Sequence, residues 1–382
     1  MSPARQITVV QLLDTLAVGG KERVAVNLAN GLAALGCKSH VIASRNTGPL
    51  AEAISPEVSL WHADRKGRFD LAGVLRIARY FDDNAVDVVH SHNQSSSYLA
   101  RFAVKLCRSR PAHVVHDHKG AGLNSRKQAF LDRFLLNRVD AYISVSQELR
   151  DRAARLLDIR AGRCIFVRNG IRIPPEAPAY VGRPTVVHVA NLHPPKDHAT
   201  AMRAAAALRR RIPDLRWRCI GRISPEPHQY VDEVRGLIAG LHLEGCVELL
   251  GERSDVEGLL REANVGVLTS QSEGLPLSVL EYMACRLPVV VTETGQAPAI
   301  VRASGGGAVA PTGDAEAIAE ALHETLKDPS RANLMGRKGR TYVAEGFSVE
   351  TMVQEVLRLY DDILADLPVR SLDGRQAGKA GR

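Results

Sequence analysis

Aromatic side chains are scarce in this chain: two Trp, eight Tyr and seven Phe make up only 4% of its 382 residues. No segment interleaves them with basic residues, so a stacking platform for single-stranded nucleic acid is not expected, and no nucleic-acid partner is assigned. Long apolar runs are lacking too. No stretch approaches the roughly 20 uninterrupted apolar residues that a membrane-spanning helix needs. The opening MSPARQITVV leads directly into a strand-like run, and no signal peptide is expected. Six cysteines (Cys37, Cys107, Cys164, Cys219, Cys246 and Cys285) stand singly in apolar segments without a CxxC pair. They are expected to be reduced, buried thiols of a cytoplasmic protein.

What is present is ordinary for a soluble globular chain, with 45% hydrophobic and 24% charged residues. The length exceeds what one hydrophobic core usually serves, which favours two domains. The formal net charge of +8 is unevenly spread. Residues 1–175 hold 26 Lys and Arg against 15 Asp and Glu, whereas the remainder holds 24 against 27. A basic first half beside a slightly acidic second half suggests that the first half meets something anionic.

Two series of short apolar runs alternate with segments of helical period. The first comprises ITVVQLL (7–13), SHVIAS (39–44), VSLWHA, VDVVHSH, HVVHDH, AYISVS and CIFV, with a helix-like segment from Gly20 to Leu35. The second comprises TVVHVAN (185–191), LRWRCIG, VELLG, ANVGVLTS and LPVVVTE, separated by segments such as AMRAAAALRRR. Apolar runs of this length joined by helices build parallel sheets covered on both faces. The fold class is therefore α/β, with two doubly wound Rossmann-like lobes at 1–170 and 185–348. Between them IRIPPEAPAYVGRPT is proline-rich, which forbids a continuing helix, so 171–184 reads as a linker. A last helix-period segment, 349–368, is expected to pack back across that linker, and 369–382 to form a frayed polar tail.

Ligands of open parallel sheets collect at the carboxyl ends of strands. In SQSEGLPLSVLEYMACRLPVVVTE, Glu273 falls in such a strand-to-helix loop, which Gly274 and Pro276 shape. A helix beginning near Leu277 turns its free backbone N–H groups toward the crevice, where they can hold phosphate. A loop glutamate beside that phosphate can accept hydrogen bonds from sugar hydroxyls. Glu281, on the helix, can reach a ribose. Either glutamate alone reads most simply as a solvated surface residue; the whole block and its spacing outweigh that reading.

This EG-x(6)-E block, followed by a proline-led strand, resembles the group-1 retaining glycosyltransferases of two-Rossmann, or GT-B, architecture. The resemblance implies two lobes facing across a cleft. It also implies transfer of a sugar from a nucleotide diphosphate sugar to a saccharide or lipid-linked acceptor, in cell-surface polysaccharide or glycolipid synthesis. Glu273 would contact the donor sugar and Glu281 the ribose, with Gly274, Leu275, Pro276 and Leu277 also lining the donor site. In VANLHPPKDH the resemblance gives Lys196 to the diphosphate, whose charge it can neutralise as the bond to the sugar breaks. Asn191, counted in the same donor site, stands where the family often has an arginine, which leaves either a thinner cationic clamp here or one filled by Arg222 or Arg253. Ala299 departs from the family's usual glutamate. VRNG, with Asn169 and Gly170, matches the family's turn before the linker. AVAPTGDAEAIAEAL matches a loop and its following helix. No cofactor and no metal are expected, because Lys, Arg and helix ends neutralise the diphosphate.

In the first lobe Gly19 and Gly20 stand between the first strand and its helix, where a missing Cβ lets backbone approach a ligand. A glycine pair is common in loops, but the family carries the same pair facing the donor's phosphate and the acceptor. The pair is not a GxGxxG fingerprint, so no dinucleotide is implied. Two HxH pairs, His90 with His92 and His116 with His118, each share one face of a strand. Packing at strand ends is the plain reading for three of them. The family's sugar-contacting histidine aligns best with His118, with His116 the alternate. A metal site is a third reading, with Asp117 adjacent. RKQAFLDRFLLNR (126–138) spaces Phe130, Leu131, Phe134 and Leu135 helically among Arg126, Lys127, Arg133 and Arg138. It reads as a core helix with a solvated basic face, or as a helix resting reversibly on the anionic inner face of a membrane. The rival functions are a nucleotide-sugar epimerase of similar architecture and a non-catalytic nucleotide-sugar-binding subunit.

Overall fold

The computed structural model describes residues 6–67, 70–118, 126–136, 138–157, 159, 162–223 and 229–366. The side chains of 126–129 and 131, and the tail expected at 369–382, lie outside the described residues. The chain divides into two compact units: Met1–Asn169 with Met352–Arg382, and Gly170–Thr351.

Unit 1 carries a seven-stranded sheet built from β1 (Thr8–Thr15), β2 (Lys38–Asn46), β3 (Ser59–His62), β4 (Val88–His92), β5 (Ala112–Asp117), β6 (Ala141–Ser144) and β7 (Cys164–Phe166). Their order is β3-β2-β1-β4-β5-β6-β7, and every pairing is parallel. Helices α1 (Gly20–Ala34), α2 (Leu71–Asp83), α3 (Gln94–Leu106), α4 (Arg126–Leu136) and α5 (Gln147–Leu157) connect the strands. Val9, Val10 and Leu12 are fully buried although their side chains alternate between faces, as a sheet covered on both sides demands. The C-terminal helix, running Val349–Ala365, returns to this unit. Its buried stripe is Met352, Val353, Val356, Leu359, Tyr360 and Ile363. Val353 fills the place a side chain would need at Gly31 of α1, where a Cβ would come within 2.4 Å of it.

Unit 2 carries a six-stranded parallel sheet from β8 (Thr185–Val189), β9 (Arg216–Ile220), β10 (Val247–Leu249), β11 (Val265–Leu268), β12 (Val289–Thr292) and β13 (Gly307–Ala310), in the order β10-β9-β8-β11-β12-β13. Its helices are α6 (His198–Arg211), α7 (Gln229–Gly240), α8 (Val256–Arg261), α9 (Leu277–Ala284), α10 (Ala297–Ser304), α11 (Ala315–Leu326) and α12 (Pro329–Gly346), with the C-terminal helix becoming α13. One face packs around Trp217, Met202 and Leu322, the other around Tyr282, Met283 and Leu280.

Strand β13 departs from the sequence reading, which treated this region as a loop. A Cβ at Gly307 would lie 2.0 Å from the Val289 carbonyl oxygen, so glycine is what lets this short strand pair with β12. The proline-rich segment starts within unit 2: Ile171 is buried, its N–H donates to Phe347 O (2.8 Å), and its carbonyl accepts from Val349 N (3.0 Å). All six cysteines are free thiols, but only Cys107, Cys219 and Cys246 are buried; Cys37, Cys164 and Cys285 are half-buried. No helix among the described residues is long and apolar enough to cross a membrane.

Candidate active site

In each sheet the strand order reverses once, between β1 and β4 and between β8 and β11. At such a point the loops leaving two adjacent strands run to opposite sides and open a crevice at the carboxyl ends. In unit 2 Asn191 and Lys196 fall in the loop after β8 and Glu273 to Pro276 in the loop after β11, with Leu277 and Glu281 on the helix α9 that follows it.

After β8 the chain makes a short turn, Pro194–Lys196, and Asp197 takes a left-handed conformation (φ 50°, ψ 53°). The Asp197 carboxylate caps α6 by accepting from Thr200 N (3.1 Å). The end of β11 grips this turn. Thr269 Oγ1 lies 3.0 Å from both the Lys196 and Asp197 carbonyl oxygens, to which it donates. Gln271 donates its backbone N–H to Pro195 O (2.9 Å) and its amide to the Asp197 carboxylate (3.0 Å). Lys196 is thereby fixed at its root, and its ammonium pairs with Glu273 Oε1. Ser270 Oγ donates to the same carboxylate oxygen (2.7 Å). The lysine side chain is 23% exposed and the glutamate 10%, so the pair is lodged in the wall while one edge remains open.

The Glu273–Gly274 loop rests on Gly295, which has φ +60°. A Cβ there would meet Gly274 O at 2.6 Å and Glu273 O at 2.7 Å. Gln296 N donates to Gly274 O (3.0 Å). Pro276 then precedes α9, whose first N–H groups have no partner within the helix. Helix α9 is anchored from behind by Tyr282, fully buried, whose hydroxyl accepts from Val189 N and donates to Val267 O (3.3 Å). Burial raises that phenol far above its ordinary pKa. Glu281 sits half-buried on the same helix, and Leu275 and Leu277 pack partly against the core.

The two arginines considered for the clamp differ in their partners. Asn191 Oδ1 accepts from Arg222 N (3.0 Å), which sets Arg222 beside Asn191. Arg253 is instead engaged by Asp255 through two bonds of 2.8 and 2.7 Å. His193, not singled out in the sequence, lies in the same field. Partial burial lowers its pKa first, the Lys196 and Arg222 charges lower it further, and Glu273 opposes them. Ser270, Thr269, Gln271, Asp197 and Gly295 also escaped the sequence reading. Nothing in TSQSEG distinguishes hydroxyls that brace a loop from hydroxyls in water.

In unit 1 Gly19 is extended (φ −164°) and precedes α1, with Gly20 exposed. The four histidines form a column. Ring centroids lie 4.7 Å apart for His90 and His92, 5.2 Å for His90 and His116, and 4.2 Å for His116 and His118. His92 Nε2 donates to Gln11 Oε1 (2.7 Å), so its Nδ1 is the acceptor for His118 Nε2–H (3.1 Å). His90 Nδ1 meets the Tyr360 hydroxyl at 2.5 Å. Burial holds His113 and His116 down to about 3, and His90 and His92 well below the usual imidazole range. His116 is fully buried, whereas His118 is half-buried. Asp117 accepts from the Tyr142 hydroxyl (2.9 Å). On α4, Phe130 and Phe134 are 76% and 73% exposed. They are not the core face of the helix, as the plainer sequence reading had it.

Two family models match the chain. The one described as Glycosyl transferases group 1 matches residues 171–342, and the one described as Glycosyltransferase Family 4 matches residues 18–174. Together they span most of the sequence, and the chain belongs to the group 1 glycosyltransferases; it is a glycosyltransferase enzyme. It is similar, at 24% identity over 369 residues, to N-acetyl-alpha-D-glucosaminyl L-malate synthase of Bacillus anthracis, covering 91% of this chain and 95% of that one. It is 23% identical over 349 residues to the UDP-Gal:alpha-D-GlcNAc-diphosphoundecaprenol alpha-1,3-galactosyltransferase of Escherichia coli, covering 84% and 88%. Its fold matches that of Anabaena HepE in complex with UDP and glucose, with a TM-score of 0.76 at 19% identity, over 94% of this chain and 100% of that one.

Proposed function

We propose that this enzyme transfers a sugar, with retention of anomeric configuration, from a nucleotide diphosphate sugar to a saccharide or lipid-linked acceptor in cell-surface polysaccharide or glycolipid synthesis. The observation that carries the reading is the Lys196–Glu273 pair, braced by Ser270 at the switch point of unit 2. Lys196 and the free amides at the start of α9 neutralise the diphosphate, while Glu273 accepts from sugar hydroxyls and Glu281 from the ribose. From unit 1, His118 is taken as a contact of the sugar or its acceptor, and Gly19 and Gly20 as backbone that a ligand can approach. The bond from the anomeric carbon to the diphosphate oxygen breaks as the acceptor oxygen bonds to that carbon on the same face. The departing diphosphate takes the acceptor's proton. A UDP-sugar is the donor to try first, given the UDP in the HepE complex and the UDP-galactose named for the Escherichia coli relative.

The test pairs binding with turnover. A nucleoside diphosphate at 100 times its Kd should stabilise the protein by about 2.7 kcal/mol in a thermal-shift panel. Glu273→Gln should keep that shift yet lose on the order of 100-fold or more in acceptor-dependent release of nucleoside diphosphate. Glu281→Ala should do the reverse, losing nucleotide affinity first. Near-normal turnover by Glu273→Gln on a working donor would sink the assignment.

A further inference from the structure

The histidine column of unit 1 holds an anomaly that packing does not explain. His90 Nε2 and both ring nitrogens of His116 are buried without a hydrogen-bond partner among the described residues. A leucine or phenylalanine would fill the same space without stranding polar atoms, and stranded polar atoms in an interior call for a bound group.

We propose that His90, His92 and His116 form a site for one divalent transition-metal ion of the zinc type, within unit 1 and apart from the donor-binding residues of unit 2. One ring nitrogen from each of the three histidines lies within 4.8 Å of those from the other two. Strand register produces this meeting. His90 and His92 are two apart on β4 and so share a face, and parallel pairing sets His116 of β5 directly beside His92. Zinc–nitrogen bonds of about 2.0–2.1 Å place tetrahedral ligand atoms roughly 3.4 Å apart. The rings would therefore close by about 1.4 Å at most, within reach of side-chain torsions.

The outer partners fit as well. A metal-ligating imidazole almost always hands its other N–H to an oxygen, which fixes the ring and its tautomer. His90 has the Tyr360 hydroxyl at Nδ1, and His92 has Gln11 Oε1 at Nε2. Gln11 Oε1 only accepts, which leaves His92 Nδ1 as a lone-pair donor, and the Tyr360 hydroxyl can accept from His90 Nδ1–H, the tautomer that frees Nε2 for a metal. Ligation by His92 Nδ1 gives up one hydrogen bond, that to His118. The donor set is all imidazole, with no carboxylate among the three, which suits zinc, nickel or copper and not magnesium or calcium.

The experiment uses the full, tag-free chain, stripped with chelator and exchanged into metal-free buffer. Zinc is titrated by calorimetry, and cobalt by its visible absorption, which reports tetrahedral nitrogen ligation. One ion per chain is expected, with no heat from magnesium at the same concentration. His116→Gln and His90→Phe, checked for fold by circular dichroism, should each weaken zinc binding about 100-fold or more, and Tyr360→Phe about 10-fold. Should His116→Gln or His90→Phe fail to fold, Tyr360→Phe carries the same test. Absence of saturable zinc binding by the wild type overturns the proposal. So does undiminished affinity in these variants, which would place the ion on surface histidines.

Discussion

Gly295→Ala tests whether the loop bearing Glu273 is held in place by a single missing side chain. The residue has φ +60°, a left-handed conformation that costs an L-amino acid about 1–2 kcal/mol. Its Cβ would also press on the carbonyl oxygens of Gly274 (2.6 Å) and Glu273 (2.7 Å), both backbone atoms that cannot swing aside. Overpacking of this kind costs about 1–3 kcal/mol. The expected loss is thus about 2–5 kcal/mol in denaturant unfolding. The strain is relieved by pushing the Glu273 backbone outward by roughly half an ångström or more, and misplacement on that scale lowers turnover about 10- to 100-fold. Gly245→Ala is the internal control: φ is +77°, yet a Cβ added there would meet nothing within 4 Å. It should show only the conformational cost, with wild-type turnover. Were Gly295→Ala to match Gly245→Ala in both stability and turnover, the claim that Gly295 sets the position of Glu273 would be wrong.

Turnover is expected to persist in excess chelator, because Lys196 and the α9 amides carry the positive field at the diphosphate; abolition by chelator with rescue by one divalent ion would refute this. In the metal-free protein, stability should fall as pH drops below about 6.5, because His90, His92, His113 and His116 are held neutral by burial while the unfolded chain takes up protons there. Their contribution is fully present above the unfolded pKa and is lost as pH falls toward about 3, where His113 and His116 protonate in the fold. The slope is at most about 1.4 kcal/mol per pH unit for each histidine, and a urea midpoint identical at pH 7.5 and 5.5 contradicts it. The exposed Phe130 and Phe134 on a basic helix should bind anionic but not neutral vesicles in sedimentation, with binding reduced by high salt and by Phe130→Ser with Phe134→Ser. Equal recovery in the supernatant with both vesicle types would leave an enzyme with no membrane contact.

Much of the fold was legible because strands buried on both faces leave unbroken apolar runs, as in TVVHV and VVVT. GAVA did not read as a strand, because its right to pair rests on the absence of a Cβ at Gly307 against the neighbouring strand. The placement of Glu273 in a strand-to-helix loop and of Glu281 on the helix after it was legible from the alternation of apolar runs and helical periods. Their supports were not: Thr269 and Gln271 reach Lys196 and Asp197 across more than seventy residues of chain, a contact that exists only once β8 lies beside β11. The histidine column shows the same limit. Period-two spacing predicts that each HxH pair shares a face, but not that β5 stands in register with β4, nor that Tyr360 closes on His90 from 270 residues away.

What the sequence conceals most thoroughly is where the backbone is strained. Asn93 (φ 96°) directly follows His92 at the end of β4, and Asp197 (φ 50°) directly follows Lys196 after β8. Both are residues other than glycine in conformations that cost about 1–3 kcal/mol, and both stand at the reversal of strand order in their sheet. Each is held by bonds from the adjacent strand or its own helix: Asn93 N donates to His116 O (3.3 Å) and its side chain accepts from Ser96 N, while Thr269 holds the Asp197 carbonyl. A relaxed turn at either place would aim His92 or Lys196 elsewhere. The local cost is therefore the physical reason the loops need those braces, and it ties the two least readable features of the chain, its left-handed residues and its cross-strand hydroxyls, to the residues its motifs announce.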